Sequence, residues 1–148
     1  MEYFLVDNGS LRSESILRLR QIAHDLSMLS GHLVRPFGLM HSHKVDPMKL
    51  NGQKARSMQE FLESEEADRL EEIRVIPFFL GPSLAITDWL PENLGKWKVA
   101  ISRKRRFSIH HPLYREGDRR LAQAMADLFR LAVDRKSTRL NSSHLVIS

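Results

Sequence analysis

The sequence predicts an α/β fold: a four-stranded parallel sheet flanked by helices on both faces, a three-layer sandwich. Three observations predict it. Strand-like and helix-like runs alternate four times along the chain, the pattern of a βα repeat. The first three strand-like runs are almost continuously apolar, as parallel strands covered on both faces are. A chain of 148 residues with 42% apolar content also suits one compact domain, too small for two independent cores.

The first strand, Tyr3 to Asp7, runs directly into the polar turn Asp7-Asn8-Gly9-Ser10. Helix one starts near Ser13, a good N-cap residue, and stops at Gly31. It carries Ile16, Leu19, Ala23, Leu26 and Leu29 on one face. The second strand is Leu33 to Met40. Helix two, from about Gln53 to Leu70, offers Ala55, Met58, Leu62 and Leu70 among many charges, a thin stripe that reads as an outer helix. The third strand is Ile73 to Leu80. Helix three covers Ser83 to Gly95, with Pro91 ending its first segment or kinking it. The fourth strand is Arg106 to His110, and helix four, opened by Asp118, has Leu121, Met125, Leu128 and Ala132 in register.

Zero cysteines exclude disulfides, iron-sulfur clusters and thiolate zinc sites. A reducing cytoplasm suits such a chain and is the expected location. The start, Met1-Glu2-Tyr3-Phe4, lacks a basic n-region, and the longest apolar run, Val75 to Leu80, falls far short of the ~20 residues that span a bilayer. No membrane association is expected. The net charge of +5 raises the question of a nucleic-acid partner. However, Arg103-Lys104-Arg105-Arg106 lacks interleaved aromatics and reads as a solvated loop, so none is expected.

Residues 134 to 144, Asp-Arg-Lys-Ser-Thr-Arg-Leu-Asn-Ser-Ser-His, resemble the in-frame translation of a short-read sequencing adapter, with 145 to 148 as its index and continuation. The apolar helical period also stops after Val133. The domain expected is therefore 1–133, with 134–148 a non-native tail. Removing that tail takes away Arg135, Lys136 and Arg139 against Asp134 and lowers the charge to +3. The natural chain is expected to continue past Val133.

In an open parallel sheet, ligands bind outside the carboxyl ends of the strands, which directs attention to the loops after each strand. Asp7-Asn8-Gly9-Ser10 ahead of a helix could hold an anion, with Gly9 permitting close backbone approach and Ser10 supplying a hydroxyl; a plain strand-to-helix turn is the alternative. His41-Ser42-His43-Lys44 follows strand two. In an extended segment His41 and His43 would point the same way and could converge on one metal, with Asp46 as a further ligand; the alternative is a solvated loop. His110 and His111 would face opposite directions, so at most one reaches a shared site. His24 and His32 read as surface residues.

Three blocks together, Leu5-Val6-Asp7-Asn8-Gly9-Ser10-Leu11-Arg12, His41-Ser42-His43-Lys44-Val45-Asp46-Pro47 and Ile76-Pro77-Phe78-Phe79-Leu80-Gly81-Pro82-Ser83, resemble the sirohydrochlorin chelatase family, the CbiX and SirB type among the class II tetrapyrrole chelatases. The resemblance covers Phe4 to Val133. It implies a chelatase-like sandwich and insertion of Co²⁺ or Fe²⁺ into a polycarboxylated tetrapyrrole for cobalamin or sirohaem synthesis. No organic cofactor is implied, and the divalent metal is a substrate. Active members carry one histidine in a His-Gly-Ser turn after strand one and another after strand three. Here those positions are Asn8 and Ser83, so the catalytic residues are unassigned and enzymatic activity of this chain alone is an open question.

By the same resemblance, Asn8, Gly9, Ser10, Arg12, Pro82 and Ser83 line the tetrapyrrole cleft; His41 and His43, on the same rim and with acceptable ligand chemistry, are the remaining metal-handling candidates. A C-terminal half-domain beyond Val133, or a homodimer partner, would supply the missing histidines. The alternative function is a non-catalytic tetrapyrrole-binding or structural half-domain.

Overall fold

The computed structural model describes the backbone of residues 1 to 147 and side-chain environments through Leu140. It divides into two units, Met1–Leu113 and Tyr114–Ser148. The first holds the whole sheet: β1 (Glu2–Asp7), β2 (Val34–Gly38), β3 (Glu72–Pro77) and β4 (Arg106–Ile109), in the order β2-β1-β3-β4 with every pairing parallel. The predicted fold class is the one observed. Val6 stands opposite both Phe37 and Pro77, which fixes the central register.

Because the side-chain period of a strand is two, β1 feeds two cores. Phe4 and Val6 point to one face, where Phe37, Ile73 and Val75 meet Met58, Phe61, Leu90, Leu94 and Trp97. The rings of Phe4, Phe37 and Phe61 pack with centroids 4.9 to 5.1 Å apart. The Arg35 guanidinium covers this aromatic cluster, 4.9 Å from the Phe61 centroid, and pairs with Glu2 and Glu66. Leu5 and Val34 face the other way, onto Leu19 and Ala23 of helix α1 (Ser13–Ser30). Leu29, expected on that apolar face, is exposed.

The expected helix two is instead an extended approach followed by two short helices, α2 (Met58–Leu62) and α3 (Glu65–Asp68). Two serines explain the division. Ser57 opens α2 with a full capping box, its side chain accepting from Glu60 N–H while Glu60 accepts from Ser57 N–H. Ser64 opens α3 by accepting from Ala67 N–H and also donates to Phe61 O. Nor is this region outer: Met58 and Phe61 are completely buried.

Helix three begins as a π-helical turn, Ala85–Trp89, and continues as α4 (Leu90–Val99). Pro91 lacks an N–H and would clash with the carbonyl four residues back, and the wider turn ahead of it relieves that conflict. β3 alternates buried and half-buried residues, Ile73 and Val75 inside and Arg74 and Ile76 partly open, so only one of its faces is fully covered.

The expectation of a solvated basic loop at 103–106 fails at Arg105. Its side chain is buried, with Nη1 donating to Trp97 O at 2.6 Å and Nη2 to Asp68 O and Oδ1 at 2.9 and 3.0 Å. Arg103, Lys104 and Arg106 are exposed.

In the second unit, α5 (Arg120–Ile147) follows Asp118, whose carboxyl is held down to about 2 by the Arg120 side chain and backbone N–H. The helical backbone does not stop where the apolar period does, and runs past Val133 through the polar residues to Ile147. For the stretch resembling an adapter, the side chains from Asn141 onward, and Ser148 entirely, lie outside the described residues. Among the described residues no helix is long and apolar enough to cross a membrane.

Candidate functional site

The strand order creates one topological switch point. The chain leaves β1 through α1 to reach β2 on one side, then crosses to β3 on the other side of β1, so the switch point, where open parallel sheets place a ligand, lies between the carboxyl ends of β1 and β3. Phe78 N–H donates to Val6 O at 2.7 Å and holds those two ends together. Asn8, Gly9, Ser10 and Arg12 leave one lip, and Pro82 and Ser83 follow the other. Asn8, Arg12 and Pro82 are exposed, while Gly9, Ser10 and Ser83 are half-buried. The Ser83 Oγ is sealed from solvent and has no hydrogen-bond partner, while its carbonyl accepts from Ile86 N–H and Thr87 N–H at the start of the π turn.

The β1 turn is already satisfied by the protein itself. Gly9 N–H donates to Asp7 Oδ1 at 2.8 Å, Ser10 N–H to Ser42 Oγ at 3.1 Å, and Arg12 N–H to Ser10 Oγ at 3.0 Å. These three amides are therefore not free to cradle an anion, and the turn presents the side chains of Asn8, Ser10 and Arg12 instead. Arg12 occupies the N-cap of α1, in extended conformation and without a side-chain cap, one residue before the serine expected there.

Gly9 is required for a reason other than ligand approach. It has φ +85°, and a Cβ there would lie 1.6 Å from Met40 O. The loops after β1 and β2 are interlocked, with Leu39 N–H donating to Asp7 O at 2.9 Å and Met40 N–H to Asn8 O at 3.1 Å. Gly38 completes the contact, since a Cβ on it would stand 2.4 Å from Ser42 Oγ and 2.8 Å from Gly9 Cα.

His41 and His43 do not lie on an extended segment. Ser42–Lys44 is a 3₁₀ turn, and His41 before it has φ 69° and ψ −35° with Ser42 N–H bonded to Met40 O at 2.8 Å. That is the rare positive-φ form of the γ-turn, a strained state for a side-chain-bearing residue at a cost of roughly 1–3 kcal/mol. The geometry that would have aimed both imidazoles at one ion is absent. His41 is exposed, whereas His43 is half-buried with Nδ1 sealed and unpartnered. The Glu60 carboxyl is held below its usual range, foremost by the Ser57 N–H. Asp46 instead caps the next turn by accepting from Met48 N–H. Among the described residues no group of three or more His, Asp or Glu side chains is placed to hold a metal ion.

His110 and His111 are both exposed just past β4, on the same rim, and His24 and His32 are exposed away from it, His32 against the Tyr3 ring. A cavity of about 290 Å³ lies behind the interlocked loops, lined in part by Asp7, Arg20, Gly38, Ser42 and Arg56. It follows from Pro36: on the outer edge of β2 a proline offers no N–H, so the passing segment 53–57 pairs with the strand only where Ser57 bridges Gly38.

No protein-family model matches the chain. No curated protein matches it either. Among solved structures, it is similar to the crystal structure of a CbiX protein assigned to cobalamin (vitamin B12) biosynthesis, from Marinobacter aquaeolei VT8. The TM-score is 0.63 at 13% sequence identity, over 90% of this chain and 98% of that one. The two chains share a fold. At that identity the likeness is one of architecture, and it agrees with the parallel sheet and flanking helices described above. Sequence reasoning did not single out Gly38 or Ser42. The only signal for either was a glycine at a strand end and a small residue between two histidines.

Asp7 gives a test of the interlock's electrostatics. Burial pushes its carboxyl above the usual range, against the opposing pull of the Gly9 N–H. A raised folded-state value means that the native state binds more protons than the unfolded one, so this group lowers stability as pH rises through its titration. Asp7→Asn keeps an oxygen for Gly9 and removes the buried charge. The variant is expected to unfold at higher urea concentration than the parent at pH 7, the gap closing as pH falls toward 4. A gap that widens on acidification would contradict this.

Proposed function

We propose that this chain is a chelatase-type domain that binds a polycarboxylated tetrapyrrole at the carboxyl rim of its sheet and takes part in inserting Co²⁺ or Fe²⁺ into it. The observation that carries the reading is a coincidence of two independent kinds: the fold shared with the CbiX protein, and the three chelatase-like sequence blocks falling on the loops after β1, β2 and β3. The chemistry agrees. Pyrrole N–H protons must leave as the metal enters, a task for a neutral imidazole, and exposed cationic side chains suit the carboxylates of the macrocycle. In this reading Asn8, Ser10, Arg12 and Pro82 meet the tetrapyrrole, and Gly9 and Ser83 shape its lips. His41 and His43 keep the metal-handling role as single imidazoles, His41 being the exposed one. The full catalytic set is completed by a further half-domain or by a second copy of the chain. Residues 134–148 are left outside the functional domain.

A second reading rests on Asn8 and Ser83, neither of which accepts a proton near neutral pH. It makes this chain a tetrapyrrole-binding half without turnover. Mixing the purified chain with sirohydrochlorin and Co²⁺ and following the absorbance spectrum separates the two. Spectral binding followed by metal insertion faster than the protein-free control supports the first. Binding with insertion at the control rate supports the second, and no spectral change on adding protein overturns both.

A further inference from the structure

We propose that Ser42 is the positioning residue of the β1 loop: its buried hydroxyl oxygen holds the Ser10 amide and so fixes where Asn8, Ser10 and Arg12 stand. The consequence for ligand binding rests on the function proposed above, whereas the effect on the loop does not. Ser42 is 3% exposed and reaches its partner across 32 residues of sequence, so the bond is a tertiary one. Its position is set from both sides. Gly38 packs so closely that a single added carbon would strike Ser42 Oγ, and the bond from Ser42 N–H to Met40 O folds the chain back through the strained His41 turn. The Ser42 oxygen is thereby delivered to Ser10 N at 3.1 Å, and Ser10 Oγ in turn accepts from Arg12 N–H at the N-cap of α1. The relay runs from the β2 loop through Ser42 and Ser10 to the first turn of the helix. A strained backbone persists only where its surroundings over-determine it, and this clamp supplies that determination for His41.

The experiment is amide hydrogen exchange followed by NMR on the full chain and its Ser42→Ala variant, with the sirohydrochlorin affinity of each measured alongside. In the parent, Ser10 N–H is expected to exchange measurably slower than a free loop amide; exchange at the free rate would overturn the proposal without any variant. In the variant, Ser10 exchange is expected to rise about fivefold to tenfold, the loss of one net hydrogen bond, while the β1 amides of Phe4, Leu5 and Val6 keep their protection. A uniform rise across β1 and Ser10 would mean that Ser42 merely stabilises the fold and would overturn the positioning role, as would unchanged Ser10 exchange. Sirohydrochlorin affinity is expected to fall by a similar factor. Unchanged affinity with a freed Ser10 amide would overturn the link to the ligand. A parent chain that binds no sirohydrochlorin while Ser42→Ala still frees Ser10 would sink the proposed function and leave the loop-setting role supported.

Discussion

Arg105→Ala should destabilise the first unit by about 3–5 kcal/mol, read as a lower urea midpoint at unchanged slope. The guanidinium joins three elements at one point. It donates to Trp97 O in the last turn of α4, to the backbone and side chain of Asp68 at the end of α3, and lies 4.8 Å from the Trp97 ring centroid at the entry to β4. Carbonyls at helix C-termini call for added donors, and here one cation serves two of them, Asp68 O and Trp97 O, the latter also accepting a long 3.4 Å bond from Ala100 N–H. Truncation removes three bonds, leaves Trp97 O with only the 3.4 Å bond from Ala100 N–H, and opens a cavity beneath Trp97, whose own Nε1 donates to Ala67 O at 3.0 Å. Arg105→Lys should recover only part of the loss, because an ammonium cannot reproduce the planar fork that spans both carbonyls. A loss below about 1 kcal/mol for the alanine variant would show that the site tolerates its absence.

Gly9→Ala should cost about 3 kcal/mol and abolish tetrapyrrole binding, whereas Gly31→Ala should cost only about 1 kcal/mol and leave binding intact. Both glycines have positive φ, +85° and +70°. They differ in what surrounds them. At Gly31, the C-cap of α1, an added Cβ meets nothing within 4 Å, so the penalty is that of the left-handed backbone alone. At Gly9 the same atom would lie 1.6 Å from Met40 O, so the β2 loop must move and the bonds to Asp7 O and Asn8 O must break. Urea unfolding and sirohydrochlorin titration of the two variants side by side check this. Equal destabilisation would remove the interlock from the account of the site.

Parallel strands declare themselves by composition, and β1 to β3 were legible for that reason. The less apolar β4 was legible from the alternation of strand-like and helix-like runs, and that the loops after the strands emerge on one side follows from the parallel order. Helix two was misread because the residues that divide it, Ser57 and Ser64, are ordinary polar letters until their side chains are seen bonded to Glu60 and Ala67. The histidine pair was misread because a two-residue spacing carries meaning only on an extended backbone, and the His41 turn is bent by bonds to a different loop. Arg105 looked like its three neighbours in a charged run. Only the approach of two helix ends distinguishes it.

The sequence by itself determined the class of fold, the order of its strands, the side of the sheet on which the loops after them emerge, and the absence of a histidine at positions 8 and 83. These are local matters of periodicity, composition and residue identity. Tertiary structure alone decided that the Ser10 amide is occupied by Ser42, why Gly9 must be glycine, and that Ser42 and Arg105 hold their surroundings in place. Each of these depends on an atom brought from about 30 or more residues away, and a close approach of that kind leaves no periodic trace in the chain.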